Sequence, residues 1–312
     1  MTETQENPTP GLRVGVDLGG TKTEAVTLGP DGEILVRTRQ PTPRSYDASV
    51  QAVARLVEEV ESEAGGRGSV GIGIPGTLSR ATGRVINANS TWLLGHPLDR
   101  DLAHRLRRPV RIMNDANCFA LSEAVDGAGA GARVVFGVIL GTGVGGGIVV
   151  DGSVLTGAQG IAGEWGHNPF HPEDAPAGVA PGCYCGRRGC VEVWLSGPAL
   201  RADHRRVTGK DRTPEELAEG AASGEAAAQE TLDRWTRRLG RALASVVNVL
   251  DPDVVVLGGG LSNLPDVAER AQEAMAPHLF TDHPRTQVVR NVHGDSSGVR
   301  GAAWLWGGPE GG

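Results

Sequence analysis

Cysteine is scarce in this chain: the 312 residues include four cysteines, along with only two tyrosines and four phenylalanines. Basic residues are not in surplus either, because 30 lysines and arginines stand against 37 acidic residues, for a net charge of −7. Proteins that bind nucleic acid depend on positive charge to neutralise phosphates. The charge balance therefore argues against a nucleic-acid partner.

Long apolar segments are also missing. No run approaches the roughly 20 apolar residues that a membrane-spanning helix needs, and the longest candidate, residues 134–150, is interrupted by six glycines. Residues 1–10 are polar and have neither a basic region nor an apolar core, which is unlike a signal peptide. We therefore expect a cytoplasmic protein with no membrane partner, in which the cysteines stay reduced.

Three of the four cysteines lie within eight positions, at Cys183, Cys185 and Cys190. Thiolates at this spacing favour zinc, which takes four tetrahedral ligands in structural sites. The fourth ligand must come from elsewhere, and His167 is the first candidate, with His171 as its competitor. A closed site of three cysteines and one histidine is structural, because no position remains for a substrate. The alternative is a set of buried free thiols.

One pattern occurs twice along the chain. A strand, a glycine-rich loop, a second strand, an Asp-Gly turn and a third strand follow one another in residues 13–37, and the same order recurs about 120 residues later. Strands alternating with helical segments indicate an α/β protein. Two such units predict an actin-like, ribonuclease H-like fold with two lobes that face each other across a nucleotide-binding cleft.

The repeat also predicts the limits of the two lobes. Residues 1–11 are expected to form a disordered tail, and residues 12–117 the smaller lobe. Residues 118–297 are expected to form the larger lobe, which carries the cysteine cluster. A closing helix at 298–306 is predicted to pack back on the smaller lobe.

The first glycine-rich loop is a candidate phosphate site. Paired glycines after a buried strand let backbone N–H groups approach a phosphate, and Thr21 and Lys22 add donors. Asp17, at the end of the strand, could orient a magnesium ion through water. The alternative is an ordinary hairpin turn. The residues of this candidate site are Asp17, Gly19, Gly20, Thr21 and Lys22.

The second copy of the loop favours the nucleotide interpretation. Residues 141–147 form a glycine-rich segment that we expect to be a loop, and Gly141, Thr142 and Gly143 are its candidate nucleotide contacts. A third cluster follows another apolar strand, where Gly258 and Gly259 would let an adenosine group lie close to the backbone. That cluster could equally be a plain turn between a strand and a helix.

A polar pair, Asn114 and Asp115, follows a predicted strand between the lobes. A carboxylate at this position could take the proton from a hydroxyl group that attacks the γ-phosphate of ATP. The alternative is that Asn114 or Asp115 caps a helix that begins near Asn117. Residues 87–92 offer amides, hydroxyls and an indole that suit a sugar, although a plain polar loop explains them as well.

Together these motifs resemble the ROK family (repressors, open reading frames, sugar kinases). The resemblance covers essentially residues 14–306 and is carried by residues 17–22, 73–76, 114–117, 141–143, 164–167 and 183–192. It implies ATP and Mg²⁺ as the phosphoryl source, a structural Zn²⁺, a hexose substrate and Asp115 as the catalytic base. The residues that it implies as sugar contacts are Asn89, Asn114, Asp115, Glu164, His167 and Glu192.

Within that family, residues 88–93, 114–127 and especially 293–306 resemble bacterial fructokinases of the manno(fructo)kinase type. This implies phosphorylation of D-fructose at its 6-hydroxyl, with glucokinase, mannokinase and N-acetylglucosamine kinase as alternatives. The family's members are commonly dimers, so a homodimer is expected. A repressor would need a helix-turn-helix module, and about a dozen residues before the first strand are too few for one. A non-catalytic sugar sensor is a further alternative.

Overall fold

The computed structural model describes residues 9–175 and 178–307, so most of the predicted tail lies outside the described residues. The first half of the chain contains a five-stranded sheet, a small hairpin and two helices. Its elements are β1 (Arg13–Leu18), β2 (Lys22–Leu28), β3 (Ile34–Pro41), α1 (Tyr46–Ala64), β4 (Ser69–Ile74), β5 (Thr77–Leu78), β6 (Val85–Ile86), α2 (Leu98–Leu106) and β7 (Val110–Asn114).

The second half contains another five-stranded sheet and more helix. Its elements are α3 (Asp115–Asp126), β8 (Val134–Leu140), β9 (Val144–Val150), β10 (Ser153–Val154), α4 (Glu192–Leu195), α5 (Gly197–Thr208), α6 (Pro214–Ala222), α7 (Ala226–Leu250), β11 (Val254–Gly258), α8 (Val267–Met275), β12 (Gln287–Arg290) and α9 (Ser297–Ala303). Within the described residues, no helix has the length and apolar character needed to cross a bilayer.

The two sheets have the same topology. Their strand orders are β3-β2-β1-β4-β7 and β10-β9-β8-β11-β12. In each sheet the first three strands in chain order pair antiparallel as a meander, and the next two add in parallel on the other side. The prediction of a duplicated α/β architecture is confirmed by this match.

The long helices follow from apolar residues at helical spacing. In α1 the stripe Val53, Leu56, Val57 and Val60 is buried against the first sheet, and the helix ends at Gly65, whose left-handed backbone (φ 71°) returns its N–H to the last turn. In α7 a similar stripe is buried in the core of the second half. Each sheet therefore has helices covering its outer face.

Two further helices, α3 and α9, lie between the sheets. Helix α9 packs on β1 and β4 of the first sheet, α3 packs on β8 and β9 of the second, and the two helices contact each other. A buried cluster joins residues of both sheets and both helices, including Val26, Phe119, Val256 and Val299. The two halves are thus joined by a shared buried cluster, in addition to the core that each has of its own. The lobe limits stay a prediction, and the limit at 117 falls within α3.

Glycines make this central packing possible. A Cβ atom at Gly71 of β4 would overlap the Ala302 carbonyl of α9, and one at Gly301 of α9 would overlap the Cys118 carbonyl of α3. Any side chain at these positions would separate the backbones that now touch. Close approach, and not turn formation, explains these glycines.

The prediction that residues 141–147 form a loop is wrong in its second half. The loop ends at Gly143, and Gly145 to Gly147 lie within β9. A Cβ atom at Gly146 would lie 2.8 Å from the Trp165 ring, and one at Gly147 would lie 2.7 Å from the Ala116 carbonyl oxygen. These glycines therefore allow α3 and Trp165 to pack directly on the strand.

Candidate active site

The pair Asn114 and Asp115 stands where β7 ends and α3 begins. The Asn114 side-chain oxygen accepts hydrogen bonds from the backbone N–H groups of Ala116 (2.9 Å) and Asn117 (3.4 Å). Its amide nitrogen donates to the carbonyl oxygen of Gly76, at 3.3 Å. Asn114 is therefore the N-cap of the helix. Asp115 is the first helical residue, two positions earlier than the sequence predicted the helix to begin.

Asp115 is a carboxylate whose proton affinity is unusually high. Its side chain is open to solvent, and one oxygen accepts a hydrogen bond from the Ala116 N–H, at 2.8 Å. Desolvation by the surrounding protein and, to a smaller extent, the negative charge of Glu164 raise its pKa to about 6, against the lowering effect of the hydrogen bond from Ala116. A carboxylate with a pKa near the working pH is suited to accept a proton.

A second acid, Asp17, lies near Asp115 at the end of β1. Burial raises the pKa of Asp17 to about 7, and the negative charges of Asp115 and Glu24 add to the effect. Neighbouring desolvated carboxylates repel each other, and a cation between them or close by would relieve that repulsion. Oxygen ligands in this setting fit Mg²⁺, which binds through one or two carboxylates and retains several waters.

The first glycine-rich loop is held from one side and open on the other. The Thr42 hydroxyl donates to the Gly19 carbonyl, at 2.8 Å, and the Thr42 N–H donates to the Thr21 carbonyl, at 2.9 Å. Gly20 and Thr21 are exposed, so their backbone is accessible to a ligand. A Cβ atom on Gly20 would lie 3.5 Å from the Ser90 hydroxyl. The segment that carries the exposed Asn89 is therefore adjacent to this loop.

Lys22, a candidate donor to phosphate, already interacts with another group of the protein. Its ammonium group lies 3.9 Å from the carboxylate of Glu24, which is buried, and the lysine side chain is half exposed. Arg37 and Arg39 also pair with Glu24. Lys22 thus belongs to a group of three cations around one buried carboxylate, at the start of β2.

The second glycine-rich loop opens onto a cleft of about 510 Å³. Gly141 and Thr142 line it on one side and Gly260 and Leu261 on another, while α5 and the segment after it complete the wall. The remaining lining residues are Gly197, Pro198, Arg201, Ala202, Arg205, Asp211, Thr213, Pro214 and Glu215. The cleft has the size of a small-molecule site.

Gly258 and Gly259, the residues predicted to contact adenosine, do not line this cleft. A Cβ atom on Gly258 would overlap the Phe119 ring, and one on Gly259 would overlap the Leu140 carbonyl. Both glycines therefore permit close packing of the protein on itself, and the next residue, Gly260, is the one that reaches the cleft.

The sequence interpretation missed the α5 wall of this cleft. Arg201 and Arg205 stand four residues apart and therefore share one face of α5. The spacing of these two arginines was the available sequence signal for a basic face on α5, although it does not indicate what that face contacts. In the structure Arg201 pairs with Asp211 across the same cleft.

The cysteine cluster comes together as predicted from its spacing. The Cys183 sulfur lies 3.6 Å from Nδ1 of His167, and the Cys185 and Cys190 sulfurs are 3.7 Å apart. The four ligand atoms all lie within 4.8 Å of one another, with His167 and not His171 in the group. Zinc–sulfur bonds of about 2.3 Å in a tetrahedron place ligands about 3.8 Å apart. The residues therefore fit a structural zinc ion.

The protonation state of Cys185 also suits a metal. Hydrogen bonds from Arg187 lower the pKa of the Cys185 thiol to about 6. The thiolate is the form of cysteine that binds metal ions. Cys185 is therefore the cysteine of the cluster that loses its proton most readily, since burial raises the pKa values of Cys183 and Cys190.

Glu192 connects the cysteine cluster to the second glycine-rich loop. One carboxylate oxygen accepts a hydrogen bond from the backbone N–H of Val144, at 3.0 Å, and the other lies 3.8 Å from the Cys183 sulfur. Val144 directly follows Gly143, so the residue predicted to contact sugar also supports the candidate nucleotide loop. No local sequence signal indicated this contact, because the two residues are far apart in the chain.

Glu164 and His167 are positioned by one short helical turn. The turn, Trp165–His167, is fixed because the buried Trp165 ring donates from Nε1 to the Gly145 carbonyl oxygen, at 2.9 Å. Burial raises the pKa of Glu164, and the charge of Glu192 adds to this effect. The structure thus brings Asp115, Glu164, His167 and Glu192 into one neighbourhood.

Comparisons with known proteins agree with this arrangement. The sequence model of the ROK family matches residues 13–308. The chain is 39% identical to the N-acetyl-D-glucosamine kinase of Escherichia coli O127:H6 over 297 residues, which cover 93% of this chain and 98% of that protein. The 39% identical protein of Shigella flexneri has the same name. These relatives therefore support a resemblance to N-acetylglucosamine kinases and not the narrower resemblance to fructokinases.

Two solved structures extend the comparison to the fold. The ROK hexokinase of Thermus thermophilus matches with a TM-score of 0.84 and 34% identity, over 94% of this chain and 97% of that one. A ROK family glucokinase from Streptomyces griseus, solved with glucose and AMPPNP, matches with a TM-score of 0.77 and 29% identity, over 95% and 99%. The prediction of an actin-like, two-lobe fold is confirmed.

The metal prediction follows from the ligand geometry. Purified protein should contain about one zinc ion per chain by elemental analysis, because four suitable ligands are already assembled. The double variant Cys185→Ser, Cys190→Ser should lose the metal and unfold at a lower temperature. Cys118→Ala changes the one remaining cysteine, which is buried outside the cluster, and should retain the metal. Folded wild-type protein without zinc would contradict the assignment.

Proposed function

The chain belongs to the ROK family, and on this premise we propose that it transfers the γ-phosphoryl group of ATP to the 6-hydroxyl of a hexose. The observation that carries this proposal is the position of Asp115. It stands at the start of α3 with a raised pKa, near the candidate sugar contacts. The two candidate nucleotide loops, 19–21 and 141–143, each follow a strand, and the two strands belong to different sheets.

In this proposal Asp115 is the general base. The hexose 6-hydroxyl donates its proton to the Asp115 carboxylate as its oxygen attacks the γ-phosphorus, and ADP leaves with the bridging oxygen. Glu164, His167 and Glu192 bind sugar hydroxyls from the zinc side. Asn89 and Asn114 bind the sugar from the side of the first sheet. Asn114 caps α3 through its side-chain oxygen and donates one amide N–H to the Gly76 carbonyl, so its second amide N–H is left for this role.

The cleft lined by Gly141, Thr142 and Gly260 is the proposed ATP site. The Streptomyces glucokinase, whose structure contains glucose and AMPPNP, supports this pairing of substrates. Mg²⁺ held near Asp17 would neutralise charge on the transferred phosphoryl group. The zinc cluster has no proposed part in the chemistry. Its role is to hold His167 and Glu192 in place.

N-acetyl-D-glucosamine is the first proposed substrate, since the 39% identical relatives carry that activity in their names. Fructose is the second candidate, favoured by the resemblance of residues 293–306 to fructokinases. A homodimer and a cytoplasmic location stay predictions. The charge of −7 continues to argue against a nucleic-acid partner.

A panel of sugars tests the activity and its specificity. With Mg²⁺-ATP, we expect ADP release in a coupled assay with N-acetyl-D-glucosamine, fructose, glucose and mannose compared by kcat/KM. The highest value is expected for N-acetyl-D-glucosamine. A higher value for fructose would favour the second candidate. No turnover with any hexose would contradict the kinase proposal and favour a sugar sensor.

The raised pKa of Asp115 predicts the pH dependence of the reaction. A base must be deprotonated to act, so kcat/KM for the hexose should be level above about pH 7, reach half its maximum near pH 6 and fall further at lower pH. The assay is run at saturating Mg²⁺-ATP. A Mg²⁺ ion bound near Asp17 would keep that carboxylate ionised, so that its titration would not contribute to the pH profile. Circular dichroism at pH 5 checks that the fold persists. A profile that stays flat down to pH 4.5 would contradict the assignment of Asp115 as the base.

A further inference from the structure

Tyr184 is an exposed aromatic residue in the middle of the cysteine cluster. It stands between two cluster cysteines, in a turn closed by a hydrogen bond from the Gly186 N–H to the Cys183 carbonyl, at 3.0 Å. While the neighbouring sulfurs face the cluster, the Tyr184 side chain is 75% exposed. A large aromatic side chain held out in this way adds little to the core.

The phenol contacts the histidine of the cluster. The Tyr184 hydroxyl lies 3.0 Å from Nε2 of His167, and the two rings meet edge to face, with centroids 5.1 Å apart. The other ring nitrogen, Nδ1, lies 3.6 Å from the Cys183 sulfur. The two nitrogens of His167 therefore face different groups.

Because the two nitrogens of His167 face different groups, metal binding determines which nitrogen carries the ring proton. When Nδ1 of His167 binds a metal ion, the imidazole keeps its single proton on Nε2. That N–H can donate one good hydrogen bond, and in the structure the Tyr184 oxygen is positioned to accept it. A sugar hydroxyl that accepts from the same N–H must displace Tyr184.

Tyr184 lies beside the candidate sugar contacts, because its hydroxyl touches His167 and the charges of Glu192 and Glu164 act on it. Desolvation of the hydroxyl beside the cluster raises the pKa of Tyr184 to about 12, and the negative charges of Glu192 and Glu164 contribute to that shift. The phenol is therefore a neutral hydrogen-bonding group. Glu164 and Glu192 are the same carboxylates that are proposed to bind the hexose.

We propose that Tyr184 competes with the hexose for Nε2–H of His167 and thereby sets the affinity for the sugar. The inference rests on the proposed function, because it takes His167 as a sugar contact. In the sugar-free protein the phenol satisfies the N–H. On binding, a sugar hydroxyl replaces the phenol oxygen, and the exposed Tyr184 side chain moves away without disturbing the core.

The variant Tyr184→Phe isolates this competition, because it removes the hydroxyl and keeps the ring. Isothermal titration with the hexose that the wild-type protein phosphorylates best, without ATP, should give a Kd lower by about 2- to 10-fold, the effect of no longer breaking one neutral hydrogen bond. The KM for the hexose should fall in parallel, while the KM for ATP stays unchanged.

Tyr46→Phe is the matched control, because it removes the hydroxyl of the only other tyrosine. Tyr46 donates to Asp101, in the first half of the chain, so the variant should leave hexose affinity unchanged. Zinc content should be the same in both variants and the wild type.

Hexose binding that is unchanged or weaker in Tyr184→Phe would overturn the competition while leaving the kinase proposal intact. A wild-type protein that binds no hexose would overturn both.

Discussion

The contact between α3 and α9 is the constraint on which the rest of the structure depends. Gly301 of α9 lies directly on the Cys118 carbonyl of α3, so each helix holds the other between the two sheets. Glu123 of α3 strengthens the contact, because its buried carboxylate accepts hydrogen bonds from the Ser297 hydroxyl (2.8 Å) and the Val292 N–H (3.1 Å). Since Asp115 is the first residue of α3, this packing fixes the proposed base relative to both lobes.

The candidate active site brings several carboxylates close together, although their mutual repulsion opposes folding. Asp17, Asp115 and Glu164 all have raised pKa values, caused first by desolvation and then by the negative charges of neighbouring carboxylates. Such an arrangement costs stability and is typical of functional sites. The cysteine cluster supplies rigidity beside it, and through Glu192 it also supports the loop after Gly143. Sugar-side and nucleotide-side elements are therefore mechanically connected.

Local patterns were enough to predict the duplicated sheets and the cysteine cluster, because each depends on residues that lie close together in the sequence. Long-range contacts were not predictable in this way. The glycines at 145–147 read as a loop, yet they lie in a strand because α3 and Trp165 pack on them. Gly258 was predicted to let an adenosine group lie close to the backbone or to form a plain turn, and in the structure the Phe119 ring lies where its Cβ atom would be. The narrow resemblance to fructokinases depended especially on residues 293–306, which contain none of the proposed sugar contacts.

The central claim is that Asp115 is the base, and Asp115→Asn tests it most directly. The amide keeps the size of the side chain but cannot take the proton, so kcat should fall by about 100-fold or more. The Kd values for hexose and for an ATP analogue should change by no more than roughly 2-fold. Asp151→Asn, at an exposed ion pair with Arg133, serves as the control and should keep full activity. A kcat near the wild-type value in Asp115→Asn would contradict the account.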